Sequence, residues 1–500
     1  METNSNALYQ ALLTHDARFD GRIFVGVTTT GIYCRPVCPA RTPKPENCTF
    51  HTSAAAAEKA GFRPCLRCRP ELAPGHSRVD AVGRLAVRAA SKIEDGALSE
   101  QTVQELATRL GVSDRHLRRA VESAFGVSPI ELAQTQRLLL AKRLLTDTRL
   151  SISEIAFASG FSSLRRFNAL FKERYRMNPT DLRRTHSAQT DTENVPADTL
   201  TCELTYRPPF DWTELLHFTA GRSIRGVETS EDNRYLRTVR LKNRTGWIVV
   251  SPSEKAEKNT LRVELSASLA PALAPIISHV KRLFDLDAEP LAISERLGSL
   301  AEDNPGLRLP GAFDGFEMAV RAILGQQVSV KAATTLAGRL ATRFGDPIET
   351  PFPALTHLPL TAERIALSDV AEIASLGIVT ARAKSILALA NEVAKGKIVL
   401  EPGVDLEETK TRLKALPGIG EWTSQYIAMR ALGDPDAFPH TDLGIYKALN
   451  ETNPKRVLQI AEAWRPWRSY ATLHLWKSLR NTDPILTKLA PIDTDEKAKT

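Results

Sequence analysis

The chain has 500 residues, 42% hydrophobic and 25% charged, a composition typical of folded globular proteins and too long for one hydrophobic core. It contains no apolar run of the roughly 18 residues that a transmembrane helix needs, and its first residues lack the layout of a signal peptide, so we expect a cytoplasmic protein. The net charge is +8, and residues 81–185 carry 18 basic and 11 acidic side chains; this excess favours a polyanionic partner, although a solvated helical surface would also be charged.

Four cysteines near the amino terminus are spaced as ligands of a single metal ion. Cys34 and Cys38 form one short loop and Cys65 and Cys68 a second, at about the interval of a zinc ribbon. In a cytoplasmic protein this pattern favours zinc over disulfides, and from spacing alone the zinc would only stabilise a small domain. Four thiolates around one divalent ion keep a net negative charge, however, which leaves the sulfurs nucleophilic. Two further cysteines have no partner at ligand spacing and are predicted to be ordinary thiols: Cys48 and Cys202.

The residues around the four cysteines resemble the zinc domain of the Ada adaptive-response proteins. The resemblance is carried by residues 28–38 and 60–70 and extends over nearly all of residues 8–75, within a domain predicted at residues 1–77. It implies that Cys34 accepts a methyl group irreversibly from a methylated backbone phosphate. Removing a negative charge near DNA should then tighten DNA binding. Three arginines are candidates for phosphate contacts, with solvated surface side chains as the alternative: Arg41, Arg63 and Arg67.

Residues 80–185 predict two helix-turn-helix units joined by a long helix. The units are residues 101–124 and 151–175, and in each a glycine closes the first helix and a serine caps the second. The apolar stretch 129–145 is long enough to hold both second helices on one face of a duplex. A single pattern of this kind is often only helical packing, but its repetition with arginine-rich second helices indicates a DNA reader. The arginines predicted to face DNA are Arg115, Arg118, Arg119, Arg165 and Arg166.

The same segment resembles the AraC-type DNA-binding domain, whose signature is matched by residues 155–179. The resemblance implies promoter DNA as a partner and makes RNA polymerase a candidate partner. Residues 186–199 are polar and almost free of apolar side chains, which is typical of a linker. In Ada proteins a methyltransferase domain with a Pro-Cys-His-Arg site follows at this point. This chain has no such sequence, so direct repair of O6-alkylguanine is not expected.

The stretch 416–442 predicts a helix, a tight glycine hairpin and a second helix, followed by a lone carboxylate. Pro417, Gly418 and Gly420 interrupt helical patterns that lie on both sides. Such a hairpin directs bare backbone N–H groups outward from a helix start, where they can bind a phosphate. Upstream, residues 200–270 alternate apolar and polar positions as in a small antiparallel sheet, and helical periodicity dominates afterwards.

This hairpin resembles the helix-hairpin-helix signature of DNA base-excision glycosylases. Three further runs resemble the AlkA branch of alkyladenine glycosylases: residues 206–212, 321–330 and 464–470. The match spans residues 200–482 and implies an α+β cap and two helical lobes with a base pocket in the cleft between them. It implies that Asp442 stabilises the positive charge that builds on the sugar when the glycosidic bond breaks. The implied pocket residues are Phe218, Gln326, Trp422, Tyr426 and Trp476. The implied DNA contacts are Gln327, Gly418, Gly420 and Thr423.

Several residues in this module make the predicted reaction and its cofactor requirement more specific. Trp422 occupies the place where bifunctional relatives carry a Schiff-base lysine, so we expect a monofunctional enzyme that leaves an abasic site. No four-cysteine cluster follows the hairpin, so no iron–sulfur cluster is expected. Gln327 stands where family members often insert a leucine into the duplex gap, and glutamine is a weaker apolar wedge. Without the hairpin, Asp442 would be interpreted as a helix cap, and a core interpretation is kept for Trp464 and Trp467.

Together the patterns predict a multidomain protein, mainly α-helical with α+β parts. Its parts are a small zinc domain, an all-α double helix-turn-helix, a linker, a glycosylase domain at residues 200–482 and a polar tail at 483–500. The predicted function is DNA alkylation repair and its regulation: one zinc ion, methyl transfer to Cys34, promoter binding and release of 3-methyladenine-type bases. The expected partners are DNA containing alkylated bases and methyl phosphotriesters, and promoter DNA, in the cytoplasm at the nucleoid and away from membranes. The alternative is a transcription activator whose glycosylase module only binds DNA.

Overall fold

The computed structural model describes residues 5–75, 85–148, 150–187, 198–254 and 258–482. The predicted tail 483–500 and most of the predicted linker therefore lie outside the described residues. Among the helices that are described, none is both long and apolar enough to cross a membrane.

The amino-terminal segment forms a small mixed sheet that carries the cysteine loops. Its elements are α1 (Ser5–Leu13), β1 (Phe24–Val27), β2 (Ile32–Cys34), β3 (Cys48–His51), α2 (Ala54–Lys59) and β4 (Arg63–Pro64). The strand order is β3-β1-β2-β4, with β2 and β4 parallel. Because β2 ends at Cys34 and Cys65 directly follows β4, this parallel pairing brings the two cysteine loops to the same edge of the sheet.

The middle segment is all-helical, as predicted. Its helices are α3 (Leu85–Glu94), α4 (Ala97–Glu100), α5 (Val103–Arg109), α6 (Asp114–Phe125), α7 (Pro129–Asp147), α8 (Ile152–Ala158), α9 (Leu164–Tyr175) and α10 (Pro179–Ser187). Thr102, Ser128 and Ser151 each form a capping box with a glutamate three residues later, which satisfies two backbone donors at each helix start. The predicted pair of helix-turn-helix units and the connecting helix α7 are confirmed.

The next segment is an antiparallel sheet of five strands packed against helices. The strands are β5 (Thr199–Thr205), β6 (Glu228–Glu231), β7 (Arg234–Leu241), β8 (Arg244–Pro252) and β9 (Thr260–Ser266), in the order β5-β9-β8-β7-β6. The helices are α11 (Trp212–Ala220) and α12 (Leu273–Leu283). The predicted linker is bordered on both sides by regular structure, since α10 continues to Ser187 and Thr199 already pairs with Ser266.

The carboxy-terminal half is helical and holds the largest hydrophobic core. Its helices are α13 (Pro290–Leu297), α14 (Gly315–Leu324), α15 (Val330–Phe344), α16 (Ala362–Ala366), α17 (Val370–Ala374), α18 (Thr380–Ala394), α19 (Leu406–Lys414), α20 (Glu421–Arg430), α21 (Leu443–Leu449), α22 (Pro454–Ala461) and α23 (Arg468–Thr482). A smaller core around Phe438 and Ile445 packs α21 against α22 and α23. The site described below lies where these two cores meet.

The hydrophobic cores do not follow the divisions predicted along the chain. One core contains Phe167 and Phe171 of the second helix-turn-helix unit together with Leu204 and Val263 of the five-stranded sheet. The first helix-turn-helix unit has its own core, which also includes Ala55 of the zinc domain. The segments are thus joined by apolar packing and not only by covalent connections.

A buried arginine docks the zinc domain onto the five-stranded sheet. Arg207 is 3% exposed, and its guanidinium donates to the backbone oxygens of Asp20 at 2.9 Å, Gly75 at 2.8 Å and Asp287 at 2.8 Å. Burial lowers the pKa of Arg207, with partial compensation from nearby carboxylates. One cation therefore links three chain segments, two of which are also joined by the Gly75 N–H donating to Asp287 Oδ1 at 2.7 Å.

Replacing Arg207 by methionine should loosen this junction. Three carbonyl groups, of which that of Asp20 is buried and the other two are part-buried, would lose a donor, at a cost of about 1–3 kcal/mol for each that stays unsatisfied. We expect faster hydrogen exchange in residues 17–24 and a lower unfolding temperature. Arg244→Met, which changes an exposed arginine of the same sheet, should alter neither measurement. Equal exchange in the two variants would contradict this role for Arg207.

Candidate active site and metal centre

The four predicted ligand cysteines converge. All four Sγ atoms lie within 4.8 Å of one another, close to the spacing of about 3.8 Å that a tetrahedral zinc ion with Zn–S bonds of about 2.3 Å imposes. Cys38, Cys65 and Cys68 are buried, whereas Cys34 is only half-buried. The donor set fits one zinc ion, and Cys34 is the ligand that a large reactant could reach.

The four thiols shift one another's pKa values in opposite directions, and a buried guanidinium lies beside them. Hydrogen bonds among the thiols, led by those of Cys34, lower the pKa values of Cys38 and Cys65; neighbouring sulfurs raise the pKa values of Cys34 and Cys68. The backbone N–H of Arg35 donates to Cys68 Sγ at 3.4 Å. The Arg35 guanidinium is buried beside the cluster. It pairs with the Asp20 carboxylate and donates to Cys68 O, so a fixed positive charge lies next to the thiolates.

The other residues singled out in this domain differ in their exposure to solvent. Arg41 and Arg67 are exposed and Arg63 is half-buried, so all three retain surface that DNA could contact. Cys48 lies outside the ligand cluster, where its thiol donates to Lys44 O, and Cys202 is buried in the core shared with the sheet.

The two second helices of the helix-turn-helix units present arginines to solvent. Arg115 and Arg119 on α6 and Arg165 and Arg166 on α9 are exposed. Arg118 is half-buried and forms an ion pair with Asp114 one turn earlier. These helices rest on buried apolar faces, which leaves their arginine-bearing faces available to a polyanion.

The hairpin before α20 has the geometry that its glycines predict. Gly418 adopts φ +72°, and a Cβ there would lie 2.4 Å from Ser385 Oγ, so a larger residue would collide as well as strain the backbone. Gly420 caps α20 without a side-chain hydrogen bond, and the space around its Cα is open. An anion can therefore approach the amide groups at the start of α20.

Two polar residues predicted in this region brace the hairpin. Gln326 donates from its side-chain amide to Gly418 O and to Thr423 Oγ1, both at 2.8 Å. Thr423 is 2% exposed, and the helix turns its hydroxyl inward to Gln326. The contact of Thr423 with DNA stays a prediction. Gln327, by contrast, is exposed in the turn that follows α14, where its φ is +53°.

The Asp442 carboxylate is held between two indole groups. Trp422 Nε1 donates to Oδ2 at 2.8 Å, and Trp476 Nε1 donates to Oδ1 at 2.9 Å. Oδ1 also accepts from the backbone N–H of Ile445 at 3.1 Å, so Asp442 is at once the N-cap of α21. The cap interpretation and the catalytic interpretation are therefore compatible. Asp442 is half-buried and lies at the edge of an aromatic wall.

That wall is built from three of the predicted pocket residues. Trp422 and Tyr426 stack with an interplanar angle of 5° and 5.3 Å between ring centroids. Trp476 lies against Tyr426 at 6.1 Å and 50°. The predicted neighbours Trp422, Tyr426, Trp476 and Asp442 are thus brought together by α20, α21 and α23.

Two arginines that the sequence analysis did not identify lie over the ring of Phe218. The guanidinium carbon of Arg222 lies 3.7 Å from the Phe218 ring centroid, and that of Arg430 lies 4.9 Å away. The aromatic face predicted to receive a cationic base is therefore shared with protein cations. A spacing of four residues, from Phe218 to Arg222 and from Tyr426 to Arg430, is the sequence signal that could have found them.

Four family models match the chain in succession. They are "Metal binding domain of Ada" at residues 7–71, "Helix-turn-helix domain" at 106–185, "AlkA N-terminal domain" at 201–314 and "HhH-GPD superfamily base excision DNA repair protein" at 320–464.

Three curated relatives show how the parts are combined elsewhere. The chain is 39% identical over 491 residues to a probable bifunctional transcriptional activator/DNA repair enzyme AlkA of Mycobacterium tuberculosis, covering 96% of this chain and 98% of the relative. It is 38% identical over 273 residues to DNA-3-methyladenine glycosylase 2 of Escherichia coli strain K12, covering 55% of this chain and 95% of the relative. It is 31% identical over 177 residues to the bifunctional transcriptional activator/DNA repair enzyme AdaA of Bacillus subtilis, covering 35% of this chain and 81% of the relative.

Proposed function

The chain belongs to the family of bifunctional transcriptional activator/DNA repair enzymes of the AlkA type, and from this premise we propose that Asp442 and Cys34 are its two reactive residues. The protein combines a DNA-3-methyladenine glycosylase with an Ada-type zinc domain and a helix-turn-helix domain. The observation that carries the glycosylase assignment is the Asp442 carboxylate, fixed by two indole N–H groups beside a wall of stacked rings.

The glycosylase binds an extruded nucleotide in the cleft that Trp422, Tyr426 and Trp476 line. Extrusion is necessary because the bond to be broken is out of reach inside a base-paired duplex. The amide groups at Gly418 and Gly420 bind a backbone phosphate next to the lesion. Exposed Gln327 fills the gap in the duplex, with less apolar contact than leucine would supply.

Asp442 stabilises the sugar as the bond to the base breaks. Both electrons of the C1′–N bond leave with the base, and positive charge develops on the sugar ring beside the carboxylate. Water then adds to C1′ and loses a proton, which gives an abasic site and a free base. The two indole donors fix the carboxylate in place before the reaction, so little reorganisation is needed when the charge appears.

The zinc domain acts once per protein molecule. Cys34, Cys38, Cys65 and Cys68 would hold the zinc ion, which would keep their sulfurs deprotonated at neutral pH. The Cys34 sulfur attacks the methyl carbon of a methyl phosphotriester; an S–C bond forms, the O–C bond breaks, and the phosphate leaves as a diester anion. The greater exposure of Cys34 than of the other ligands supports its assignment as acceptor.

The helix-turn-helix pair connects this chemistry to transcription. Arg115, Arg119, Arg165 and Arg166 are the side chains that contact promoter DNA, with Arg118 in a supporting position. Methylation of Cys34 removes one negative charge beside DNA and so strengthens binding, most clearly at low salt. RNA polymerase is the partner that an activator of this kind recruits, and the nucleoid is where the protein acts.

Release of free base from methylated duplex DNA tests the glycosylase proposal. The wild-type protein should release 3-methyladenine and leave abasic sites without cutting the strand, because Trp422 supplies no amine for lyase chemistry. A transcription activator whose glycosylase module only binds DNA would retain the duplex and release nothing. Chromatography of the released bases, with strand integrity measured on the same samples, separates these outcomes.

Gly444 offers a prediction about how closely the carboxylate must be held. A Cβ at this position would lie 2.9 Å from Asp442 Oδ1 and 3.0 Å from Trp476 Cδ1. Gly444→Ala should therefore push the Trp476 indole away from Asp442 and slow base release, by roughly a hundredfold if the shift reaches about 1 Å. Alanine favours a helix more than glycine does, so the unfolding temperature should not fall in parallel. Unchanged release would show that the contact between Trp476 and Asp442 is dispensable.

A further inference from the structure

Three arginines surround the end of the aromatic wall that lies away from Asp442. Arg430 Nη1 donates to the Tyr426 hydroxyl at 3.0 Å, and Arg222 and Arg430 both lie over the Phe218 ring. Arg321 also lies close enough to Tyr426 to lower its pKa. Trp422, one helical turn before Tyr426 on α20, bonds instead to the Asp442 carboxylate.

Neutral oxygens hold these arginines, and the charge of Glu228 acts on Arg321 from a distance without forming an ion pair with it. Arg222 donates to Phe218 O, Arg430 to Pro310 O and Gly311 O, and Arg321 to Thr334 Oγ1, all of which are neutral oxygens. In the part of the chain that the structure describes, no carboxylate forms an ion pair with any of the three. Carbonyl groups orient a guanidinium but leave its charge in place.

The pKa of Tyr426 is shifted by the field of these arginines, whereas that of Arg222 is shifted mainly by burial. Burial, with the charges of Arg430 and Arg321 nearby, lowers the pKa of Arg222 to about 10. Burial alone would raise the pKa of the Tyr426 phenol, yet the three arginines together lower it. The aromatic wall is therefore polarised, with arginines at its Tyr426 end and the Asp442 carboxylate at its Trp422 end.

Base release moves charge in the direction that this polarity favours. When the C1′–N bond breaks, one unit of positive charge passes from base to sugar, whatever the charge of the base at the start. A cationic N-alkylpurine leaves as a neutral base, and a neutral purine leaves as an anion that takes up the proton given off by the attacking water. In both cases the base becomes more negative near the arginines and the sugar becomes more positive near Asp442.

We propose that Arg222 and Arg430 form a second electrostatic pole of the reaction, stabilising the departing base while Asp442 stabilises the sugar. The proposal rests on the glycosylase function proposed above. Neutral purines should depend on the arginines more than cationic purines do, because their departing anions gain most from nearby guanidinium groups. The arginines repel a cationic base when it binds, but they speed the cleavage of its bond to the sugar. They therefore raise the rate constant of base release more than they tighten binding of the lesion.

Charge-conserving and charge-removing variants of Arg222 test the proposal. Arg222 is half-buried and has no ion-pair partner to strand among the described residues, so Arg222→Met and Arg222→Lys should both fold. Single-turnover release is measured with one duplex containing cationic 7-methylguanine and another containing neutral hypoxanthine, each as a function of enzyme concentration. Arg339→Met, at an exposed arginine on α15, is the matched control.

Arg222→Met should lower the saturated rate on both duplexes, by roughly tenfold to a hundredfold, with the larger loss on the neutral lesion. Half-saturation on the cationic lesion should stay the same or improve. Arg222→Lys should recover most of the rate, since it restores the charge. The proposal is overturned if Arg222→Met keeps the wild-type saturated rate, or if Arg222→Lys loses as much as Arg222→Met, since the residue would then act by shape alone. Failure of the wild-type protein to release either base would instead overturn the underlying glycosylase function.

Discussion

Replacing Asp442 by asparagine is expected to reduce base release by roughly a hundredfold to a thousandfold, as when a group that stabilises transition-state charge is removed. The amide has nearly the same shape but cannot balance the positive charge on the sugar. In the wild-type protein one carboxylate oxygen accepts from Trp422 and the other from Trp476, so the NH₂ group of asparagine would face an indole N–H with no acceptor between them. The measurement is the single-turnover rate of 3-methyladenine release at saturating enzyme.

The substitution separates catalysis from folding. Asparagine is as good an N-cap as aspartate, so α21 should keep the hydrogen bond from the Ile445 N–H and the unfolding temperature should change little. Binding to a duplex with an abasic site should also persist. Asp405→Asn is the matched control, since Asp405 caps α19 on an exposed surface and should leave release unchanged. Equal release by wild type and Asp442→Asn would remove Asp442 from the mechanism.

Replacing Cys34 by serine is expected to abolish methyl transfer to the protein. Serine offers no thiolate, and its hydroxyl is a poor ligand for zinc, so zinc affinity should fall as well. After incubation with duplex DNA carrying methyl phosphotriesters, the intact mass of the wild-type protein should rise by one methyl group. Peptide mapping should locate that group at Cys34, and Cys34→Ser should show no gain.

Cys48→Ser distinguishes the zinc-bound thiolate from an ordinary cysteine. Cys48 lies outside the ligand cluster, where its thiol bonds to Lys44 O, so this variant should accept one methyl group at the wild-type rate. Methyl groups found on Cys38, Cys65 or Cys68 would contradict the assignment of Cys34. The absence of any methyl gain in the wild-type protein would mean that the zinc only stabilises the domain.

Local physical rules account for the parts of the structure that the sequence predicted. The two cysteine loops, the helix caps at Thr102, Ser128 and Ser151, and the hairpin at Gly418 each depend on residues only a few positions apart. At such spacings the chain leaves few conformations that satisfy both the backbone and the side chain. The fold class, the zinc site and the family could therefore be predicted before any coordinates.

The sequence left undecided which way individual side chains point. Thr423 stands in the hairpin signature, yet the helix turns it inward to Gln326, and sequence spacing did not distinguish the two faces there. The divisions between domains stay predictions, and apolar packing crosses one of them. Phe167 and Val263 share a core, because both segments carry apolar faces that only contact between them removes from water.

By itself the sequence determined which chemical groups are present and which short motifs they form: four metal-binding thiols, two arginine-bearing helices, a glycine hairpin and a carboxylate after it. Only the tertiary structure decided which groups from distant segments meet. It joined Trp476 to Asp442, set Arg222 and Arg430 over Phe218, and buried Arg207 among carbonyl groups of three segments. The reason is that hydrogen bonds and capping act between near neighbours in the chain, whereas apolar burial has no preferred partner, and contacts between distant segments follow from packing the whole core.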